Sequence, residues 1–383
     1  SSAASDVYKR QRFGLIVRNT EEILTASDLR LFLETGVKLK HYIGFEISGK
    51  MHLGTGLMTM AKVKDFMRAG ADVSVFLADW HTWINNKLGG DMEVIKRVAV
   101  GYFKEGFKAS IKCLGGDPDK LKFVLGSELY HNNDEYWATF VEVSKHTTLA
   151  RIRRSITIMG RKEGEAVNFA MLLYPPMQVA DIFIQGITLP HAGIDQRKAQ
   201  VIAREVALKL RINPLLDDKG NKIKPVAVHH HLLLGLGKPP LWPIPKDKLQ
   251  EIWSAMKMSK SNPNSCVFIH DSEQDIRRKL NNAFCPAGIV EFNPVLDWTK
   301  YLIFRDEKSE LHIERPEKFG GDITYYSYSE LEKDFAEKKL HPLDLKKAVA
   351  EKLIKLLEPA RKHFEKPKNK AMLEELENLN ITR

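Results

Sequence analysis

Val73 to Asp79, VSVFLAD, is a continuous apolar run that ends on a carboxylate. A strand with no polar face must be covered on both sides, which calls for a parallel sheet between two helical layers. The neighbouring segments supply those layers. Ser27 to Lys38 has a short helical pattern, HYIGF opens an apolar stretch at His41, and Leu57 to Ala69 reads as a helix closed by Gly70. Asp91 to Leu114 reads as a long amphipathic helix stopped by Gly115 and Gly116, before a third strand at Lys122 to Leu125. Repeated strand, helix, strand units predict an α/β chain with a doubly wound parallel sheet. From about Asn133 to Glu165 the pattern turns helical and basic, with Arg151, Arg153, Arg154, Arg161 and Lys162 close together, as in an inserted helical pair. Ile187 to Leu189 predicts a short strand, Asp195 to Arg211 a helix, and Pro225 to Leu236 a further strand carrying His229, His230 and His231.

The Pro-rich stretch KPPLWPIPKDK, Lys238 to Lys248, closes this unit. Beyond it Ser272, three residues before Asp275, marks a capped helix start. Leu345, Val349, Leu353 and Leu356 then draw one apolar stripe along Pro342 to Phe364. The predicted organisation is an N-terminal tail and helix (1–40), an α/β domain (41–245) with its insertion at about 130–165, a linker holding a lysine-rich loop (246–271) and an all-helical domain (272–383). The first dozen residues, small and polar without periodicity, read as a disordered tail or as residues foreign to the native chain. A formal charge of +10, from 59 Lys plus Arg against 49 Asp plus Glu, favours a polyanionic partner. Cys113, Cys266 and Cys285 are far apart, which suits a reducing compartment and provides no metal-ligand spacing. No apolar run approaches the ~20 residues needed to span a bilayer, so a cytoplasmic protein is expected.

Four stretches can carry chemistry. In EISGKMHLGTG, Gly49, Gly54 and Gly56 leave little side chain around a strand-to-helix turn, so a phosphate can approach backbone amides, with His52 as a donor. In YPPMQVADIFIQG, Tyr174, Gln178, Asp181 and Gln185 share one face of a helix whose start Pro175 and Pro176 would set. The other faces are apolar, so this helix is buried and its polar row needs partners, either a ligand or a structural hydrogen-bond network. In AGIDQRK, Gly193 permits a close turn, and Asp195 is either a ribose-hydroxyl acceptor or an ordinary N-cap. In KMSKS, Lys257 to Ser261, two ammonium groups can clamp a pyrophosphate, although a charged surface loop would look the same.

In order along the chain, YIGFEISGKMHLG, YPPMQVADI, GIDQRK, KMSKS, FCPAG, RPEKFGGD and HPLDLKKAV resemble the class I aminoacyl-tRNA synthetases, whose signatures are a HIGH-like turn and a KMSKS loop. Within that class they are similar to the tyrosyl-tRNA synthetases of the archaeal and eukaryotic type, from about Thr20 to the end. The resemblance implies a Rossmann-like catalytic domain and a helical anticodon-binding domain. It implies that tyrosine attacks the α-phosphate of ATP, with Mg²⁺ assisting, to give tyrosyl-adenylate and pyrophosphate, before a terminal ribose hydroxyl of tRNA takes the tyrosyl group. His52, Lys257 and Lys260 would be the catalytic donors. Tyr42 and Asp181 would bond the phenol and Tyr174, Gln178 and Gln196 the α-amino group, with Glu46 nearby. ATP would meet Gly44, His52, Gly54, Gly193, Asp195, Lys257, Met258, Ser259 and Lys260. Arg154, Arg197 and Lys198 would meet the acceptor stem, and Phe319 and Asp344 the anticodon, beside a turn shaped by His341 and Pro342. A homodimer built around the inserted helices is implied as well.

Two departures stand out: the HIGH-like turn ends in Thr55 instead of histidine, and KMSKS keeps Lys260 where some relatives carry serine. His229, His230 and His231 invite a metal reading, but successive strand residues point to opposite faces, so no metal site is expected. Tryptophanyl-tRNA synthetase is the nearest competing assignment. A small-molecule nucleotidyltransferase would not need the helical domain, and a silent RNA-binding paralogue would not need His52, Lys257 and Lys260.

Overall fold

The computed structural model describes residues 2–379. Its central sheet has six strands, β1 (Thr20–Leu24), β2 (Lys40–Phe45), β3 (Asp72–Leu77), β4 (Lys122–Leu125), β5 (Leu189–Gly193) and β6 (Ala227–His230), in the order β1-β6-β5-β2-β3-β4. The last five run parallel, and β1 lies antiparallel along β6 at one edge. The chain leaves β2 towards β3 on one side and reaches β5 on the other, so the crevice at the ends of β2 and β5 is the place where a doubly wound sheet binds its ligand. The register sets Tyr42 opposite both Ser74 and Pro190, and the strand ends Phe45 and Gly193 deliver the chain to that crevice.

Several expectations need correction. The first dozen residues are not a tail: Ser2–Val17 is a helix, while Ser1 lies outside the described residues. Its hold is tertiary. Ile16 is buried, Arg12 donates to the Ala69 carbonyl at 2.7 Å, and Lys62 caps the helix end by donating to the carbonyls of Leu15 and Arg18 at 2.7 and 2.8 Å. The strand β1, read as part of the N-terminal tail and helix, exists because the open edge of β6 pairs with it. The helix carrying the polar row begins at Phe169, not at the prolines, because Asn168 caps it through Met171 N–H. The strand foreseen at Ile187 to Leu189 lies slightly later, and the one foreseen to Leu236 stops at His230.

After the Pro-rich stretch, helices Glu273–Asn281, Pro294–Trp298, Tyr328–Ala336, Pro342–Leu356, Glu358–Glu365 and Pro367–Leu379 dominate, as expected. A two-stranded antiparallel ribbon, β7 (Leu311–Ile313) with β8 (Ile323–Tyr325), is an addition to that helical region, and residues 380–383 lie outside the described part. Of the foreseen stripe, Leu345, Val349 and Leu353 are fully buried and Leu356 is partly buried against the same core. Among the described residues no helix is long and apolar enough to cross a membrane.

Candidate active site

Two connected cavities open at the ends of β2 and β5. The inner one is small, about 40 Å³, and is closed by Tyr42, Phe76, Ala78, His81 and Asp181. The outer cleft, about 370 Å³, includes His52, Gly54, Asp195, Lys257 and Lys260 in its walls. Gly44, Phe45, Glu46, Tyr174 and Gln196 line both, so a molecule seated in one touches the other.

At the closed end Asp181, 1% exposed, accepts a hydrogen bond from the Tyr130 hydroxyl at 2.8 Å. Burial holds its carboxyl well above the ordinary range, and the Tyr130 bond works against that shift. Burial, followed by the charge of Asp181, raises the Tyr42 phenol. His81 lies 3.8 Å from the second Asp181 oxygen, and burial pushes its imidazole down to about 3. At the open end Gln178 donates to Gln196 Oε1 at 3.3 Å, and Gln196 donates to the Ile158 carbonyl at 2.8 Å. Glu46 accepts from the Tyr174 hydroxyl at 2.8 Å and from Asn85 at 2.9 Å, and its carboxyl is raised by burial against those two bonds. Three of the four residues in the polar row therefore face the cavities. Gln185 does not: its amide turns back onto the Asp181 carbonyl of its own helix at 2.8 Å.

In the outer cleft the glycine turn runs from β2 into a wide helical turn, Gly54–Met58, which leads into the helix Thr59–Arg68. His52 Nδ1 accepts from the Thr55 N–H at 3.3 Å, which leaves the proton on Nε2. Burial, then the charges of Lys260 and Lys257, lower this imidazole to about 3, so it is a neutral donor at physiological pH. The last position of the turn, Thr55, thus orients His52 through its backbone. Lys260 donates to both the carbonyl and the hydroxyl of Ser48, and burial lowers its ammonium to about 8, with Glu46 opposing. Lys257 stands 3.2 Å from Asp195 Oδ2. A Cβ at Gly193 would lie 2.7 Å from Asp195 Oδ1 and 2.8 Å from Leu232 Cδ2, so a side chain there would displace the ends of both. Met258 is buried against the cleft, whereas Ser259 is not among its walls and faces Ser261 at 2.8 Å.

The three histidines diverge as their alternation implies. His229 meets Glu22 at 2.9 Å, His230 meets His191 at 2.8 Å, and His231 sits between Glu21 and Asp297. On the surface Lys198 donates to the Arg154 carbonyl at 2.7 Å, which joins those two foreseen residues, while Arg197 forks onto Glu22 at 2.8 and 3.0 Å. Phe319 is 61% exposed in the turn Glu317–Phe319, with the Lys318 ammonium 4.9 Å from its ring centroid. Arg315 ties that turn to the Gly321 and Lys339 carbonyls, close before His341, which caps the helix Pro342–Leu356 through Leu343 N–H and sets Asp344 in its first turn. Tyr130, His81, Asn85 and Ser48 take part in the site although nothing in their local sequence distinguishes them from core or loop residues.

A ligand crevice at the sheet's switch point, a glycine turn with a donor histidine and a two-lysine loop across from it define a class I aminoacyl-tRNA synthetase. Residues 34–358 match the family of class I tRNA synthetases (W and Y). The tyrosine–tRNA ligase of Thermococcus sibiricus is 61% identical over 365 residues, covering 95% of this chain and 96% of that one. The crystal structure of the Pyrococcus horikoshii tyrosyl-tRNA synthetase with L-tyrosine has a TM-score of 0.93 at 59% identity, covering 96% of this chain and 99% of that one. The Aeropyrum pernix tyrosyl-tRNA synthetase has a TM-score of 0.81 at 40% identity, covering 97% and 99%. The chain belongs to the tyrosine–tRNA ligases of this family.

Proposed function

We propose that the inner cavity takes the tyrosine side chain and the outer cleft takes ATP, so that the tyrosine carboxylate meets the α-phosphate where the two cavities join. The observation that carries this reading is the pairing of Tyr42 and Asp181 at the closed end, which suits a phenol hydroxyl. An indole N–H can donate to Asp181 but has no lone pair to accept from the Tyr42 hydroxyl, and leaving that hydroxyl unpaired costs roughly 1–3 kcal/mol. Tyr174, Gln178 and Gln196 offer oxygens to the α-amino group at the mouth, and Glu46 adds negative charge behind Tyr174.

Activation then needs positioning and charge stabilisation, with no covalent enzyme intermediate. His52 Nε2–H, Lys257 and Lys260 are the donors to the phosphates. In leaving Asp195, Lys257 frees that carboxylate for a ribose hydroxyl, and Lys260 leaves Ser48 in the same way. Mg²⁺ is proposed as a companion of the ATP phosphates. The cleft carboxylates Glu46 and Asp195 are engaged by Tyr174, Asn85 and Lys257, so they do not form a cation cage and no step is assigned to the ion.

The reading extends to tRNA. Arg154, Arg197 and Lys198 form a basic rim suited to acceptor-stem contact, with Phe319 and Asp344 at the anticodon. The working division is activation by residues 41–245 together with the lysine-rich loop of 246–271, and anticodon reading by 272–383. Exposed Val141, Leu149 and Phe169 (53%, 58% and 76%), in and beside the inserted helices, are offered as the face of a homodimer, and a cytoplasmic setting completes the proposal. The decisive assay is amino-acid-dependent exchange of pyrophosphate into ATP. Tyrosine should support it; equal exchange with tryptophan, or none with tyrosine, would overturn the assignment.

A further inference from the structure

Leu234 is braced from two sides. Its N–H donates to Asp297 Oδ2 at 2.9 Å and its carbonyl accepts from Trp298 Nε1 at 2.8 Å, both in the helix Pro294–Trp298. Its flanking residues hold the lysine-rich loop. The Leu233 carbonyl accepts from Met258 N–H at 2.7 Å, Gly235 N–H donates to the Met256 carbonyl at 2.6 Å, and Leu234 and Lys257 form an antiparallel bridge. The stretch carrying Lys257 and Lys260 therefore hangs on three residues whose other edge belongs to the helical region. This also explains why β6 stops at His230: the residues after it leave the sheet to pair with the loop.

Asp297 binds Leu234 with one oxygen and His231 with the other. His231 Nε2 lies 2.6 Å from Asp297 Oδ1, and His231 Nδ1 lies 2.5 Å from Glu21 Oε1 on β1. The ring is 3% exposed in its side chain and stacks on Tyr301, with centroids 3.9 Å apart and planes 12° from parallel. Carboxylates accept and do not donate, so an imidazole with one at each nitrogen is held as the doubly protonated cation.

We propose that His231 and Asp297 are positioning residues for the activation step. Together they fix Leu234, and through it they set where the loop presents Lys257 and Lys260 to the nucleotide phosphates. The inference rests on those two lysines being the phosphate donors. It makes one helix of the tRNA-reading region part of the frame of the activation site, with Glu21 on the edge strand as the far anchor.

Asp297→Asn and His231→Gln keep side-chain volume while removing the charged pairing. Two quantities separate positioning from general stability: the tyrosine Kd by equilibrium dialysis, and single-turnover adenylate formation as a function of ATP. The expected result is an unchanged tyrosine Kd with kcat/KM for ATP reduced roughly 10- to 100-fold. Unchanged ATP parameters in both variants, or a parallel loss of tyrosine binding, would overturn the proposal. Should either variant fail to fold, Glu21→Gln on the exposed edge strand supplies the same test with a smaller shift of the same kind, and no shift there counts against it. Lys260→Ala tells the two readings apart: normal activation in that variant removes the phosphate-donor reading and the inference with it, whereas impairment there beside a normal Asp297→Asn removes only the brace.

Discussion

Lys257 Nζ stands 3.2 Å from Asp195 Oδ2, and the two reach each other from separate elements, one at the end of the helix Leu249–Met256 and the other in the turn after β5. Both side chains are more than a third exposed, at 40% and 34%, so water competes for the pair and it adds little to stability. A contact that is cheap to break suits a lysine that must move to a phosphate.

Lys257→Ala should therefore leave the unfolding midpoint close to that of the parent protein and lower tyrosine-dependent pyrophosphate exchange about 10²- to 10³-fold, the usual cost of removing one preorganised donor. Exchange within a few-fold of the parent would remove Lys257 from the phosphate site.

The opposite end of the site depends on Asp181. Asp181→Asn replaces an acceptor by an amide that can also donate, beside the Tyr130 hydroxyl that already points at this position. Tyrosine activation should fall by about 100-fold, corresponding to roughly 3 kcal/mol for a buried charged hydrogen bond. Activation of phenylalanine should change far less, since it has no hydroxyl to lose. Measured kcat/KM values for the two amino acids that fall together would show that the substitution damages the pocket without touching phenol recognition.

The residues differ in how legible they are, and for physical reasons. Helical spacing alone was enough to set Tyr174, Gln178 and Asp181 on one face, because a buried helix leaves few directions for polar groups. The same spacing left open whether each partner is a ligand or the protein itself, and for Gln185 it is the protein, since its amide is satisfied by its own helix. VSVFLAD revealed a doubly covered strand because burial on both faces leaves a compositional trace. TEEIL on β1 and the helix Ser2–Val17 left none: the strand is held by the edge of β6, and the helix by Arg12 and Lys62 reaching between elements. Ser259, named through its motif, lies outside the cleft walls although its neighbours Lys257, Met258 and Lys260 line them. Tyr130 and Asp297 become visible only when segments far apart in sequence meet.

In the helical region, Lys318 sits on the Phe319 ring while the side chain remains 61% exposed, which leaves room for a base to stack. Phe319→Ala and Asp344→Ala should each raise the KM for tRNA, by an amount equivalent to about 1–3 kcal/mol for a lost stack at Phe319. Tyrosine-dependent exchange, which needs no tRNA, should be unaffected. Equal aminoacylation kinetics with and without these side chains would take both positions out of the recognition surface.

His231 adds a pH dependence with a definite sign. Burial opposes its charge, but Asp297 and Glu21 outweigh it and raise the imidazole to about 9 from an ordinary 6.5. The groups facing it are Glu21, Asp297 and Tyr301, and the nearby Lys300 acts on Glu21. A group raised on folding contributes its full stability below about pH 6.5 and loses it as pH climbs through about 9, here on the order of 3 kcal/mol. Lys62 and Lys260 act in the opposite sense: burial lowers them to about 7 and about 8, so their contribution improves as pH rises towards the unfolded value. The whole-protein profile mixes these signs, and the difference between the parent and His231→Gln isolates one of them. Urea unfolding should show the variant less stable than the parent at pH 6, with the gap narrowing by pH 9.5. A gap that stays constant across that range would mean that His231 is not held as a cation in the folded protein.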